Sequence, residues 1–300
     1  MLQEDELEAL RSQLQMQKTV ISELEQKQAA LDLDHAMSVA VGAAVAAGDI
    51  VNACLQPGAM SQISDKTATD PVTEADKECE RVVLGMLTRA FPACKVLGEE
   101  MSGGDGRLTD AATWVVDPID GTANFVHCNP YCCISIGLVV ARQSVLGVVY
   151  HPATRDMYTC IRGRGAFLNG RRLQVSSVEV IERALVVTEM GSQRSADWIQ
   201  HKQGAMCALL SLKPQAIRCF GAAALNLCQV AAGRAEAYFE HGPYAWDLAA
   251  ATLLCTEAGA AVTDMRGAAL DLCGRNVLAV VPRLQQLLLQ ALKEVPAPTS

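Results

Sequence analysis

The chain has 300 residues, of which half are hydrophobic and 19% are charged, and its formal net charge is −8. This composition provides for a large buried core and excludes wholesale disorder. The acidic balance argues against a protein that binds nucleic acid or anionic membranes through basic patches, but it does not exclude phosphate substrates, because a bound metal ion inverts the local field.

Residues 1–34 differ in composition from the rest of the chain. Leucine, isoleucine and glutamine recur there at steps of three and four among Glu, Gln and Lys. The pattern predicts a helical extension, either a short coiled coil or a lone amphipathic helix that docks on the body or frays. The first residues, "MLQEDELEAL", are acidic and do not show a basic region followed by an apolar one, and apolar runs such as Ser38–Gly48 are too short to cross a bilayer. We therefore expect a soluble, cytoplasmic protein without a membrane partner.

The body, residues 35–300, divides into two halves by its hydrophobic pattern. In residues 35–175, two helical patterns come first, over 35–55 and 72–91, and are followed by apolar strands. The stretch 132–175 predicts an antiparallel meander with hairpin turns in "HPATRD" and "LNGRR". In residues 176–300, short strands alternate with helical patterns, which is typical of a layered α/β (α+β) fold.

Twelve cysteines occur along the chain, but none forms a C-x-x-C pair or a paired zinc pattern. Most lie among apolar neighbours, as Cys228 and Cys255 do. We expect buried, reduced thiols in a cytosolic protein, and the alternative is a metal or redox role.

Acidic residues directly follow three apolar stretches, at a predicted strand end or helix start. Glu99 and Glu100 close "KVLGEE", Asp117 and Asp120 close "WVVDPID", and Asp247 starts "DLAAATLL". Carboxylates gathered at strand ends repel one another unless cations neutralise them, and Mg²⁺ prefers such oxygen ligands.

Each of these acids also has a purely structural interpretation. Asp120 and Asp247 fit as helix N-caps, and Asp117-Pro118 fits as an ordinary turn. Pro118 is expected to end the strand pairing, so that Asp117 and Asp120 project to one side. The stretch Gly121–Asn124 then predicts the start of a helix, where free N–H groups bind phosphate oxygens. Together, these features indicate metal-assisted phosphoryl transfer.

Three segments of the chain resemble the signatures of the inositol monophosphatase family: "GEE", "WVVDPIDGTANFVH" and "WDLAAATLLCTEAGAAVTD". The resemblance covers roughly Ala36 to Leu292. It implies a sandwich of alternating helix and sheet layers, usually as a homodimer. It also implies Mg²⁺-dependent, lithium-sensitive hydrolysis of inositol monophosphate, with a small phosphorylated polyol as the partner and no nucleic acid or membrane.

The resemblance also assigns roles to individual residues. It gives the ligands of a first metal as Glu99, Asp117 and the carbonyl of Ile119, and those of a second as Asp117, Asp120 and Asp247. Glu99 and Thr122 would activate the attacking water, with Asp117 as the third catalytic residue. The substrate contacts would be Asp120, Gly121, Thr122, Gly221, Ala222, Ala223, Glu240 and Asp247. Asp76 would be a supporting acid near the metals and Lys66 a basic residue on a mobile loop.

Two positions depart from the family pattern. Ala222 stands where the family commonly has Thr or Ser, so a hydroxyl contact is missing, and Lys66 is one residue closer to Asp70 than expected. Glu240 is kept, which favours inositol phosphate. The alternatives are a phosphatase for another small monoester, such as a nucleotide, sugar phosphate or histidinol phosphate, and a weakly active scaffold that recruits partners through residues 1–34.

Overall fold

The computed structural model describes residues 31–55, 63–67, 70–102, 107–293 and 295. Residues 1–30, which carry nearly all of the predicted helical extension, lie outside this part. The helices are α1 (Leu33–Cys54), α2 (Glu74–Ala90), α3 (Glu99–Ser102), α4 (Thr122–Val126), α5 (Ala196–Ser211), α6 (Ala223–Ala231), α7 (Ala245–Glu257) and α8 (Gln285–Lys293). The strands are β1 (Ile63–Thr67), β2 (Asp70–Thr73), β3 (Lys95–Gly98), β4 (Thr113–Asp120), β5 (Cys133–Val140), β6 (Gln143–His151), β7 (Asp156–Ile161), β8 (Gly165–Leu168), β9 (Arg171–Arg172), β10 (Leu185–Thr188), β11 (Ala216–Arg218), β12 (Ala237–His241), β13 (Ala261–Thr263) and β14 (Asn276–Val280).

A seven-stranded sheet, in the order β3-β4-β5-β6-β7-β8-β9, forms the first half of the body. Strand β3 pairs parallel with β4, and every later neighbour is antiparallel, as predicted for the meander. The predicted turn in "LNGRR" joins β8 to β9. Asn169 and Gly170 have φ of 49° and 78°, the left-handed conformations that a tight hairpin requires.

A five-stranded sheet, in the order β11-β10-β12-β14-β13, forms the second half. Strand β10 is parallel to both β11 and β12, while β14 is antiparallel to β12 and β13. The carboxyl ends of β10 and β12 therefore lie side by side. In such sheets, this is the edge where side chains with chemical roles gather.

Three hydrophobic clusters stack the elements into five layers. The first lies between α1 and α2 and one face of the large sheet, where Trp114 and Val116 are buried. The second fills the space between the two sheets around α6 and α7, and includes Val115 from the opposite face of β4. The third covers the outer face of the small sheet with α5 and α8. The order helix, sheet, helix, sheet, helix confirms the predicted sandwich of alternating layers.

Helix α1 is longer than the apolar run Ser38–Gly48 considered in the sequence. By length and composition alone it would pass as a membrane-crossing helix. It packs on α2 and β6, however, and a row of fully buried alanines, among them Ala36, Ala40 and Ala47, lets it lie close to its neighbours. The alanine-lined side of α1 is therefore packed like a helix in a protein core.

All twelve cysteines lie in the described part of the chain and carry free thiols. Six of them are buried, including Cys228 and Cys255, as expected from their apolar neighbours. Burial raises the pKa of the Cys255 thiol, so that it packs as a small uncharged side chain.

Candidate active site

A bulge in β4 brings Asp117 and Asp120 to the same side of the sheet. Asp117 pairs with Ser135 and Asp120 with Cys133, so β4 has one more residue in this interval than its partner β5. Side chains alternate along a regular strand, and residues three apart would face opposite ways. The extra residue restores the alternation, and both carboxylates face one point.

The prediction that Pro118 ends the strand pairing is wrong. Pairing continues to Asp120, and Pro118 lies inside the bulge, where Pro118 and Ile119 together face Ile134 of β5. Proline is tolerated here because a bulged residue is not needed as a ladder donor. The proline therefore shapes the strand rather than stopping it.

The first turn of α7 delivers Asp247 to the same point. The helix begins at Ala245, and the Asp247 carboxylate accepts a 2.6 Å hydrogen bond from the Tyr244 N–H in a capping box. Ser135 of β5 donates to the Trp246 carbonyl at 3.0 Å and fixes the helix start against the large sheet. Asp247 is therefore not the N-cap itself, which is Tyr244, but lies at N3, where it binds the N-cap N–H and also lies beside Asp117.

Asp117, Asp120 and Asp247 form one acidic cluster in which a carboxylate oxygen of each lies within 4.8 Å of the others. Burial raises the pKa of Asp117 well above its usual value, and Glu99, Asp120 and Asp247 raise it further. Burial also raises the pKa of both Asp120 and Asp247 to about 7. This concentration of buried negative charge fits a divalent cation, because hard cations take several oxygen ligands and remove the repulsion.

Glu99, Ile119 and Thr122 line the same cleft as the acidic cluster. Glu99 follows β3 directly, and β3 is parallel to β4, with Gly98 opposite Val116. The Ile119 N–H donates to Asp117 Oδ1 at 3.0 Å, and the Thr122 hydroxyl donates to the Ile119 carbonyl at 3.1 Å. The bulge and the start of α4 are thereby held in one network.

The loop before α6 approaches the acidic cluster from the other half of the molecule. Ala222 is the N-cap of α6 and has no side chain that can cap it. Asp120 takes over this function: its Oδ1 accepts the Ala223 N–H at 3.0 Å and its Oδ2 accepts the Ala224 N–H at 2.7 Å. Asp120 is therefore a helix cap as well, but of α6, about a hundred residues away, and not of α4.

Gly121 is needed where these two halves meet. Its φ is 91°, and a Cβ there would lie 3.0 Å from the Tyr131 carbonyl oxygen and 3.1 Å from the Ala222 Cβ. Only glycine combines this conformation with so close an approach. The start of α4, with Gly121, Thr122 and Ala123, consequently lies open to the cleft.

Glu240 lies elsewhere on the cleft wall, near the end of β12. It is 7% exposed, and Tyr238 donates its hydroxyl hydrogen to Glu240 Oε2. Burial raises the pKa of Glu240 to about 7, while the Lys202 ammonium acts in the opposite direction. The cleft, of about 340 Å³, thus has the acidic cluster and Glu240 on one continuous surface.

The sequence also predicted two supporting residues, Asp76 and Lys66. Asp76 is fully buried in the first turn of α2; burial raises the pKa of the Cys79 and Cys132 thiols, and the nearby Asp76 raises it further. It is not among the described residues that line the cleft. The backbone of Lys66 belongs to β1, but its side chain lies outside the described part of the chain.

Sequence reasoning missed Glu189 and Arg275, which also line the cleft. Glu189 Oε1 accepts hydrogen bonds from the Phe220 and Gly221 N–H groups at 2.7 and 2.8 Å. The Arg275 guanidinium stacks 3.5 Å from the Tyr244 ring centre. A signal for Glu189 was present, because it follows the apolar strand "LVVT" directly, as Glu99 follows β3.

Known proteins resemble the chain over nearly all of its body. The sequence model of the inositol monophosphatase family matches residues 32–297. Inositol monophosphatase 2 of Solanum lycopersicum is 40% identical over 87% of this chain and 99% of that protein. Human inositol monophosphatase 1 is 39% identical over 83% of this chain and 90% of that protein.

Solved structures give the same picture of the fold. The inositol monophosphatase from Anabaena (Nostoc) superposes with a TM-score of 0.75 at 32% identity, over 89% of this chain and 98% of that one. The extragenic suppressor protein suhB of Bartonella henselae reaches a TM-score of 0.79 at 32% identity, over 87% of this chain and 99% of that one. The five-layered arrangement described above is therefore shared with these proteins.

Proposed function

The chain belongs to the inositol monophosphatase family and is a phosphoric monoester hydrolase, and we propose that it hydrolyses inositol monophosphate to inositol and phosphate with Mg²⁺. The observation that carries this proposal is the position of Glu240 on the same cleft surface as the acidic cluster. The cluster suits a metal ion and a phosphate group, and a buried carboxylate beside it suits a leaving group rich in hydroxyls.

The donor set favours a hard divalent cation. Glu99, Asp117, Asp120, Asp247 and the Ile119 carbonyl would hold it, all through oxygen atoms, and Mg²⁺ prefers this kind of ligand. A bound divalent cation would supply charge for the phosphate oxygens and lower the pKa of a water molecule.

The chain's own residues position the reactants. Glu99 would accept the proton of the attacking water, either directly or through the Thr122 hydroxyl as a relay, since a carboxylate on the cleft wall suits proton removal. The N–H groups of Gly121 and Thr122 would hold phosphate oxygens at the open start of α4. Glu240 would accept hydrogen bonds from hydroxyl groups of the polyol.

A phosphate-release panel tests the proposal. Purified protein would be given inositol 1-phosphate, a nucleotide, a sugar phosphate and histidinol phosphate, each with and without Mg²⁺ and Li⁺. We expect Mg²⁺-dependent release that is fastest with inositol 1-phosphate and inhibited by Li⁺. Little turnover of inositol 1-phosphate beside rapid turnover of another monoester would contradict the substrate assignment. The homodimer and the cytoplasmic location expected from the sequence stay predictions.

A further inference from the structure

Lys202 forms hydrogen bonds to the carboxyl ends of two neighbouring strands behind the cleft. The Lys202 ammonium, on α5, donates to the Glu189 carbonyl at 2.8 Å and to the His241 carbonyl at 3.2 Å. Glu189 follows β10 directly and His241 ends β12, and these strands are parallel neighbours. Lys202 therefore fixes the spacing of the two strand ends that carry Glu189 and Glu240.

The same ammonium lies close to Glu240. Both groups lie near Gly191: a Cβ on Gly191 would lie 3.7 Å from Glu240 Oε1 and 3.9 Å from Lys202 Nζ. Burial lowers the pKa of Lys202, while Glu240 and Glu189 oppose that shift. The Lys202 ammonium is thus partly buried near two acids and is held by the two backbone carbonyls that accept its hydrogen bonds.

The two oxygen atoms of the Glu240 carboxylate have different surroundings. Tyr238 donates its hydroxyl hydrogen to Oε2, so that Oε2 is bound to the sheet. Oε1 is the oxygen near Gly191 and Lys202, and Gly191 lines the cleft. Oε1 is thus the oxygen available to a ligand, and its place depends on the residues that hold the end of β12.

Lys202 is connected to the Gly221 loop as well. Its acceptor Glu189 binds the Phe220 and Gly221 N–H groups through Oε1. Asn226 of α6 donates to the same oxygen at 2.8 Å. Two walls of the cleft, one with Glu240 and one with Gly221, therefore share Lys202 as a support.

We propose that Lys202 is a positioning residue for the polyol half of the substrate, acting through Glu240 and the Glu189–Gly191 segment. This inference rests on the proposed function. Lys202 does not touch the acidic cluster, and it lines a neighbouring cavity rather than the cleft. Its removal should affect binding of the hydroxyl-bearing leaving group and not the phosphate end.

The test compares Lys202→Met with Gln203→Met, a control that changes an exposed residue on the wall of the same neighbouring cavity. KM and kcat are measured with inositol 1-phosphate, and the inhibition constant is measured for inorganic phosphate, which lacks the polyol. For Lys202→Met we expect KM to rise about tenfold, the value of one charge-supported hydrogen bond. The phosphate inhibition constant and kcat should stay within about twofold, since neither depends on the polyol contact. Gln203→Met should match the wild type.

KM and the phosphate inhibition constant do not depend on the fraction of folded enzyme, so partial unfolding of Lys202→Met leaves their comparison valid, and kcat is calculated from the concentration of folded enzyme. Lys202→Arg keeps the positive charge and should recover part of the lost affinity. A parallel rise of KM and of the phosphate inhibition constant, or an unchanged KM, would overturn the role of Lys202. A wild-type protein without turnover of inositol 1-phosphate would overturn the proposed function and this inference with it.

Discussion

Asp117 and Asp120 face the same point because β4 has one residue more than β5 between them. A spacing of three would otherwise separate them across the sheet. The bulge is therefore the local feature that turns two strand residues into a paired site, and Asp247 completes it from the start of α7.

Asp117→Asn should abolish Mg²⁺-dependent phosphate release, with a loss of about a hundredfold or more, because it removes charge from the centre of the acidic cluster. Without metal, the variant should melt at a higher temperature than the wild type at pH 8, since asparagine cannot carry the charge that burial and the neighbouring acids disfavour at this position. Asp110→Asn changes an exposed carboxylate outside the cleft and serves as the control. Unchanged Mg²⁺-dependent hydrolysis in Asp117→Asn would contradict the metal assignment.

The stability of the metal-free protein should fall as the pH rises from about 4 to about 7. The folded-state pKa values of Asp120 and Asp247, about 7, exceed the ordinary aspartate value of 3.8. In this window the folded state binds more protons than the unfolded state, so its stability decreases with rising pH. Above about pH 7 Asp120 and Asp247 are ionised, and the repulsion between them acts in full.

Mg²⁺ should reverse this loss. Thermal melting with and without Mg²⁺ should show a larger metal-induced rise in Tm at pH 8 than at pH 5.5, because protons and metal compete for the same carboxylates. In Asp247→Asn, the pH dependence without metal should become weaker. An equal Mg²⁺ effect at both pH values would show that the stabilising metal binds elsewhere.

Much of this site could be predicted because its chemistry is local in sequence. Glu99 follows β3 directly, Asp117 follows the apolar residues of β4, and the meander turn at Asn169-Gly170 has an unambiguous hairpin sequence. The bulge at Pro118 could not be predicted, since it is defined by the register against β5. In a single sequence, a proline that ends a strand cannot be distinguished from a proline inside a bulge.

Contacts between distant segments account for the other differences. Asp120 caps α6 across a separation of 103 and 104 residues, and Glu189 holds a loop 31 and 32 residues further on. No spacing rule connects such positions, because the layered fold alone brings them together. Lys202 could not be predicted for the same reason, since its acceptors, the Glu189 and His241 carbonyls, are at the ends of two strands that pair only in the folded sheet.

Glu189→Ala should destabilise the protein by about 1–3 kcal/mol, because the N–H groups of Phe220 and Gly221 and the Asn226 side chain lose their acceptor. The loop that presents Gly221 to the cleft should loosen, and KM should rise. Glu189→Gln keeps an acceptor oxygen, so its stability and KM should lie between those of the wild type and those of Glu189→Ala. Urea unfolding and steady-state kinetics check both effects, with exposed Glu182 replaced by Ala as the control. A fully stable Glu189→Ala would show that the loop is held by other contacts.

Ala222→Thr should increase the affinity for Mg²⁺ by about two- to fivefold. A hydroxyl at the N-cap of α6 would accept an N–H of the first turn, which Asp120 now caps alone. Asp120 would then have more of its lone pairs available for the metal. Ala222→Val has the same shape as Thr without the hydroxyl, and any strain from the added volume at this 1% exposed position should appear in both variants. The half-maximal Mg²⁺ concentration for phosphate release should therefore be lower for Thr than for Val. Equal values would mean that the Asp120 carboxylate already replaces the missing hydroxyl in full.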